Sequence, residues 1–307
     1  MQCFDYDLDL PMDKRLAPIF IAFDEKIDTL VRHVDTLLRP YSSALTVLGL
    51  MEASISKNAM YADELQYITE HTGLTFAETL FMQLIYEASS ACTTGCNANF
   101  YLRTMDWEMP FLKDYTIQLN ITRSGVPVCK AITWVGYVGF LTTWTDAEMI
   151  AVNYRRTCDM TIGTMLNNAQ RVAAMYWPVG YLVREVAVGA RSSSTLSSAT
   201  LVSPCYITIL DLKNSSKSKV IVRSADRCTS VRAPNEGVLV QTNCDAKGVG
   251  CDILHSFARI TSFEKLLVEE EDDIDALVAK ALTFPIKNSS TIYYWALYRG
   301  EVRVGTC

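Results

Sequence analysis

Cys92 is followed eleven residues later by Arg103-Thr104-Met105-Asp106, an arginine and an aspartate three apart in apolar company. A thiol attacks as the thiolate, so a guanidinium fixed nearby favours the reactive form, while a carboxylate orients whatever base takes the proton. Cysteine hydrolases usually borrow a histidine, but His33, His71 and His255 are the only ones, and none lies in a recognisable Cys/His motif. Another base is therefore needed. Cutting the peptide bond between Ala91 and Cys92 would free an α-amino group with an ordinary pKa of about 7.7 to 8.0, able to accept the thiol proton directly or through water. Asp106 would then hold the ammonium and Arg103 would favour the thiolate. Two plainer readings compete: Cys92 as a small buried hydrophobe, and Arg103 with Asp106 as a structural ion pair.

The elements around this segment predict how it is positioned. From Leu16 to Leu38 apolar residues recur at three- and four-residue steps, an amphipathic helix that Pro40 ends. A second helix is expected over Ala44 to Ala53. A third starts at the Thr75/Glu78 capping box and delivers the chain to Cys92. Beyond it, 115–122, 126–133, 137–142 and 149–154 read as a β-meander. Residues 160–188 read as helical, 201–211, 220–224 and 237–243 as strands, 260–282 as helical, and 291–304 as closing strands. Blocks of helices and strands without regular alternation predict a layered α+β fold.

Composition narrows the function classes. The 307 residues are 50% hydrophobic and 20% charged, enough for a large core. A net charge of −6 without a long basic tract gives no footprint for nucleic acid. The N-terminus has neither the basic start nor the apolar run of a secretory signal, and no apolar stretch is long enough to span a membrane. A soluble or membrane-peripheral chain is expected, its compartment unassigned. Ten cysteines are too scattered for a zinc ribbon or a disulfide scaffold, so neither metal nor cofactor is expected. The acidic run 269–273 reads as a solvated helix start or linker.

The segment 84–94 followed by Arg103-Thr104-Met105-Asp106 resembles the processing site of the acid ceramidase and N-acylethanolamine-hydrolysing acid amidase family of N-terminal nucleophile cysteine hydrolases. The likeness continues in order through Leu8-Asp9-Leu10-Pro11, Trp134-x-Gly136-Tyr137-Val138-Gly139, Trp177-Pro178-Val179 and Gln241-Thr242-Asn243-x-Asp245. It implies a four-layered αββα sandwich and self-cleavage before Cys92. The products would be a helical α-subunit segment, 1–91, and a hydrolase domain, 92–307, held together as an α/β heterodimer. It maps the nucleophile onto Cys92, its neighbours onto Arg103 and Asp106, an oxyanion donor onto Asn243 and a further arginine onto Arg259. Cys96 fits less well, because Asn-Ala rather than Thr-Thr follows it.

The implied activity is hydrolysis of an N-acyl lipid amide through a Cys92 thioester, with contact to a membrane surface. A bile-salt-hydrolase or penicillin-acylase type of amidase, and a silent relative that binds lipid or protein, are the alternatives. Trp107, Met109, Phe111 and the 134–144 region would supply an acyl-chain pocket or ordinary core. One departure stands out: where the family has a Glu between Asn or Asp and Arg, this chain reads Asn153-Tyr154-Arg155.

Overall fold

The computed structural model describes residues 1–43, 45–46, 49–50, 59–87, 91–155, 162–174, 176–245, 252, 255–268 and 273–307. In chain order its strands are β1 (Gln2–Asp7), β2 (Ala91–Cys96), β3 (Phe100–Asp106), β4 (Thr116–Arg123), β5 (Val126–Trp134), β6 (Thr142–Trp144) and β7 (Glu148–Tyr154). β8 (Cys205–Asp211), β9 (Lys219–Arg223), β10 (Cys228–Arg232), β11 (Leu239–Gln241), β12 (Thr291–Tyr298) and β13 (Glu301–Thr306) follow. The main helices are α1 (Asp24–Leu38), α2 (Ala62–Thr72), α3 (Phe76–Leu84), α4 (Ile162–Ala173), α5 (Val179–Ala187), α6 (Ser256–Val268) and α7 (Ile274–Ala281).

Eight strands pair in the order β1-β4-β5-β6-β7-β8-β9-β10, and five in the order β11-β2-β3-β12-β13. The strands β2, β3 and β12 of the five-stranded sheet are buried on both faces. Residues alternate between opposite sides of a strand, so Tyr101 and Met105 of β3 join the core that faces the larger sheet. Phe100 and Leu102 pack with Ile260, Phe263 and Leu277 of α6 and α7. α5 and the N-terminal helices cover the other side of the larger sheet, giving the helix–sheet–sheet–helix order of an α+β sandwich.

Several boundaries differ from the periodic reading. The long first helix breaks at Phe23 into Ala17–Ala22 and α1, because Phe23 leaves helical geometry at φ −114°, ψ 9°. In place of one helix over 160–188, the described residues give two, α4 and α5, with Pro178 as N-cap of the second. The strand expected over 137–142 shrinks to β6, since Gly136 turns the chain at φ +82° and Phe140 N–H bonds to Gly180. Of the helix expected over 44–53, residues 44, 47–48 and 51–53 lie outside the described residues, as do 269–272 of the acidic run. Asp273 caps α7 by accepting from Ala276 N–H at 3.0 Å.

The segment 1–91 is not purely helical. β1 is its edge contribution to the larger sheet, parallel to β4 with Gln2 opposite Ile117. A buried ion pair ties the same segment to α5: Arg184 meets both oxygens of Glu64 at 2.6 Å, and its guanidinium lies 4.2 Å from the Tyr61 ring. Glu64→Ala leaves Arg184 as an uncompensated buried cation and should cost about 3–5 kcal/mol, read from urea denaturation. A loss below about 1 kcal/mol would mean the pair contributes nothing beyond an exposed one.

Candidate active site

Cys92 is the second residue of β2, with Met105 of β3 directly opposite and both fully buried. The hairpin between them is tightened by Asn97, whose Oδ1 accepts from Asn99 and Phe100 N–H at 2.8 and 2.7 Å. Gly95 is required there: a Cβ would collide with the Leu239 carbonyl of β11 and the Phe263 ring of α6. Without that close approach, β11 and α6 could not bring Asn243 and Arg259 up to Cys92.

Strand alternation separates Arg103 from Asp106, three residues apart on β3. They do not pair. Arg103 reaches the larger sheet, where Nη1 donates to Asn153 Oδ1 at 2.9 Å and Nη2 to the Val152 carbonyl at 2.7 Å. Nε donates to Thr142 Oγ1, Nη1 also to Thr94 Oγ1, and Nη2 also to Met105 Sδ, all at 3.2–3.3 Å. Each of these partners is neutral, so a buried positive charge stands beside the thiol.

Cys92 Sγ donates to Met105 Sδ at 3.3 Å. Burial pushes the thiol above its usual range; Arg103 pulls it down and Asp106 pushes it up. The cysteine is therefore a protonated thiol while the chain is whole.

Asp106 turns toward α6 instead. Its Oδ1 accepts from Thr291 Oγ1 at 2.7 Å and its Oδ2 lies 3.4 Å from Arg259 Nη1, with both side chains of the ion pair completely buried. Burial raises the Asp106 carboxyl, and Arg259 opposes that most strongly. Arg259 also bonds to the Cys92 carbonyl at 2.6 Å and to Thr93 Oγ1, Asn243 Oδ1 and Ser256 Oγ, each at 3.0 Å.

Asn243 follows β11 and faces the Cys92 nitrogen. Its Oδ1 accepts from Cys92 N–H at 2.7 Å, and its Nδ2 donates to the Tyr154 carbonyl at 2.8 Å. In the whole chain the residue expected to donate to an oxyanion thus accepts from Cys92.

Asn153 is the site residue that the sequence reading passed over, noting only the missing Glu after it. Its Nδ2 faces the carbonyls of Cys92, Gln241 and Thr242 at 3.2, 3.0 and 3.2 Å, and its Oδ1 accepts from Arg103 and Thr94. A lone amide inside the apolar run Met149-Ile-Ala-Val-Asn-Tyr154 was the available signal, because a buried amide needs partners. Two residues on, Arg155 makes a bidentate pair with Asp245 at 2.9 Å, and Tyr206 donates to the same carboxylate at 2.7 Å.

An apolar pocket of about 50 Å³, partly open to solvent, lies beside this network. Leu30, Val34, Ile68, Met82 and Ile85 line it from the N-terminal segment, and Trp107, Met109, Trp134 and Tyr137 from beyond Cys92. Cys92 itself is not in the wall. Tyr86 stands edge-on to Trp107 of that wall, at 5.6 Å between ring centroids.

Two stacked sheets between helical layers, with a cysteine near the start of an inner strand, define the N-terminal nucleophile hydrolase sandwich. A solved structure of the Caenorhabditis elegans N-acylethanolamine-hydrolyzing acid amidase ortholog shares this fold, with TM-score 0.57 and 22% identity over 68% of this chain and 94% of that one. No family model matches the chain. An uncharacterized protein of Acanthamoeba polyphaga mimivirus, R632, is 35% identical over 97% of this chain and 96% of its own. Acid ceramidase of Mus musculus is 24% identical over 78% of this chain and 68% of its own, and that of Rattus norvegicus 25% identical over 79% and 69%. The chain belongs to the acid ceramidase and N-acylethanolamine-hydrolysing acid amidase family of amide hydrolases.

Asn153→Asp keeps the shape of the side chain but replaces a donor facing three carbonyl oxygens with an acceptor. A loss of about 2 kcal/mol or more is expected from the urea midpoint at constant slope; unchanged stability would remove Asn153 from the network's support.

Proposed function

We propose that this chain is a self-processing amidase that cuts itself between Ala91 and Cys92 and then hydrolyses the amide bond of N-acyl lipids of the ceramide or N-acylethanolamine type. One observation carries the proposal: the buried thiol of Cys92, next to the unneutralised Arg103, has its own nitrogen held by Asn243. In the cutting step Cys92 Sγ adds to the Ala91 carbonyl carbon, the Ala91–Cys92 amide breaks, and the acyl group passes to sulfur. Water then hydrolyses the thioester, leaving a carboxylate on Ala91 and a free amine on Cys92.

That amine is the base of the second reaction. It takes the thiol proton as sulfur attacks the substrate carbonyl and returns it to the departing amine, and later activates water against the thioester. Arg103 stabilises the thiolate, while Asn243 keeps the amine beside its sulfur. Asn243 gives one of its two N–H donors to the Tyr154 carbonyl, and donation to the oxyanion would use the other; such a donor typically contributes about 3 kcal/mol. Asp106 acts one step away in this scheme, fixing Arg259 against the Cys92 carbonyl.

The cavity supports an aliphatic acyl group. Its apolar wall suits a lipid chain, and that wall is divided between residues before Ala91 and after Cys92. The N-terminal piece would therefore remain as a subunit of an α/β heterodimer, held by β1 and by the Glu64–Arg184 pair.

Intact-mass measurement should find two fragments, one ending at Ala91 and one beginning at Cys92, and only the whole chain in Cys92→Ala. Normal turnover by Cys92→Ala on ceramides, N-acylethanolamines and conjugated bile acids would end the proposal. Val34→Trp, which narrows the cavity, should lower kcat/KM on long-chain amides by about tenfold or more relative to short-chain ones; an equal effect on both would separate the cavity from the acyl chain.

A further inference from the structure

Five residues before Cys92, Glu87 is fully buried at the end of the N-terminal segment. Among the described residues, the partners that hydrogen-bond to its carboxylate and carbonyl lie on the other side of the Ala91–Cys92 bond. Val179 N–H, in the first turn of α5, donates to Oε1 at 2.7 Å, and Ser203 Oγ donates to Oε2 at 2.5 Å. Asn168 of α4 donates to the Glu87 backbone carbonyl at 3.5 Å. Pro178, the N-cap of α5, supplies no side-chain cap, so the Glu87 carboxylate satisfies an amide that the helix cannot satisfy itself.

We propose that Glu87 is a positioning residue for self-cleavage: it pins the acyl side of the Ala91–Cys92 bond to α5 and Ser203 so that the Ala91 carbonyl stays within reach of Cys92 Sγ. The inference rests on the reading of Cys92 as the nucleophile that cuts the chain. Ala91 lies four positions on from the anchor, a reach of at most about 14 Å, and is itself buried in β2. The bond is thus held on both sides. Glu87 fixes the side before it, while Asn243, Arg259 and Asn153 fix the nitrogen and carbonyl of Cys92. An attack geometry held this closely loses about a hundredfold in rate for a displacement of roughly 1 Å.

The anchor carries a titration that a purely apolar plug would lack. Among the described residues, the ionisable groups that feel its charge are Tyr137 and Cys205, both neutral, and no cation pairs with it. Burial pushes Glu87 up to about 7 from 4.5, partly opposed by Ser203 and Val179. A released tail has the ordinary carboxylate and binds fewer protons than the docked one between those values. Docking is therefore favoured as pH falls, is complete below 4.5, and weakens as pH rises through about 7.

The test follows the cutting rate of the full chain by intact mass from about pH 4.5 to 8 in wild type, Glu87→Gln, Glu87→Ala and Ser203→Ala, with thermal unfolding as the check on folding. The wild-type rate, taken relative to that of Glu87→Gln at each pH, should fall about tenfold or more across that range, and Glu87→Ala should be slowed at least about tenfold throughout. Ser203→Ala, which removes one of the two anchoring bonds, should lie between. Wild-type rates and pH profile in Glu87→Ala would overturn the proposal. If that variant does not fold, a wild-type profile in Glu87→Gln overturns it equally. A wild-type chain that stays whole would remove the reading of Cys92 itself, and the anchor with it.

Discussion

The backbone of one residue is the constraint around which the site is arranged. The Cys92 N–H is taken by an amide oxygen, and its carbonyl is shared by a guanidinium from α6 and an amide from β7. Those three partners come from three elements far apart in sequence. Each is held by the next: Arg259 by Asp106, Asn153 by Arg103, Asn243 by Tyr154. Moving any of them leaves buried polar groups without partners, at about 1–3 kcal/mol each, so the elements that carry them are fixed relative to β2.

Two arginines divide the work because a strand has two faces. Arg103, on the inner face, has only neutral partners and so keeps its field available to the sulfur. Arg259, on the outer face, is paired with Asp106 and acts on the backbone. A carboxylate on the inner face would cancel the Arg103 field and raise the thiol further. The three-residue spacing of Arg103 and Asp106 is what prevents this, since an even spacing would have put them side by side.

The identity of the site segment and the layered fold were legible because ordered motifs and block-wise elements are properties of the chain itself. Arg103, Asp106, Asn243 and Arg259 do surround Cys92. What the sequence did not disclose was which of them touch. The competing reading of Arg103 and Asp106 as a structural ion pair runs against the alternation of β3, and the Asn243 amide offers an accepting end as well as a donating one. Asn153 and Glu87 were passed over because a single polar residue in an apolar stretch announces burial but not its partners. β1 was missed for another reason: its pairing with β4 spans more than a hundred residues, and a short edge strand has no local pattern strong enough to predict it.

That parallel pairing of β1 has a consequence for the lifetime of the protein. A strand laid down at the far edge of the larger sheet must find β4 while both belong to one chain, where closing the intervening loop costs only a slowly growing entropy. Once the chain is in two pieces, the same pairing becomes an encounter between separate molecules, dependent on concentration and slow to recover. The divided protein would persist because it unfolds slowly, as a kinetically trapped assembly whose native arrangement was written before the cut and cannot readily be rewritten afterwards.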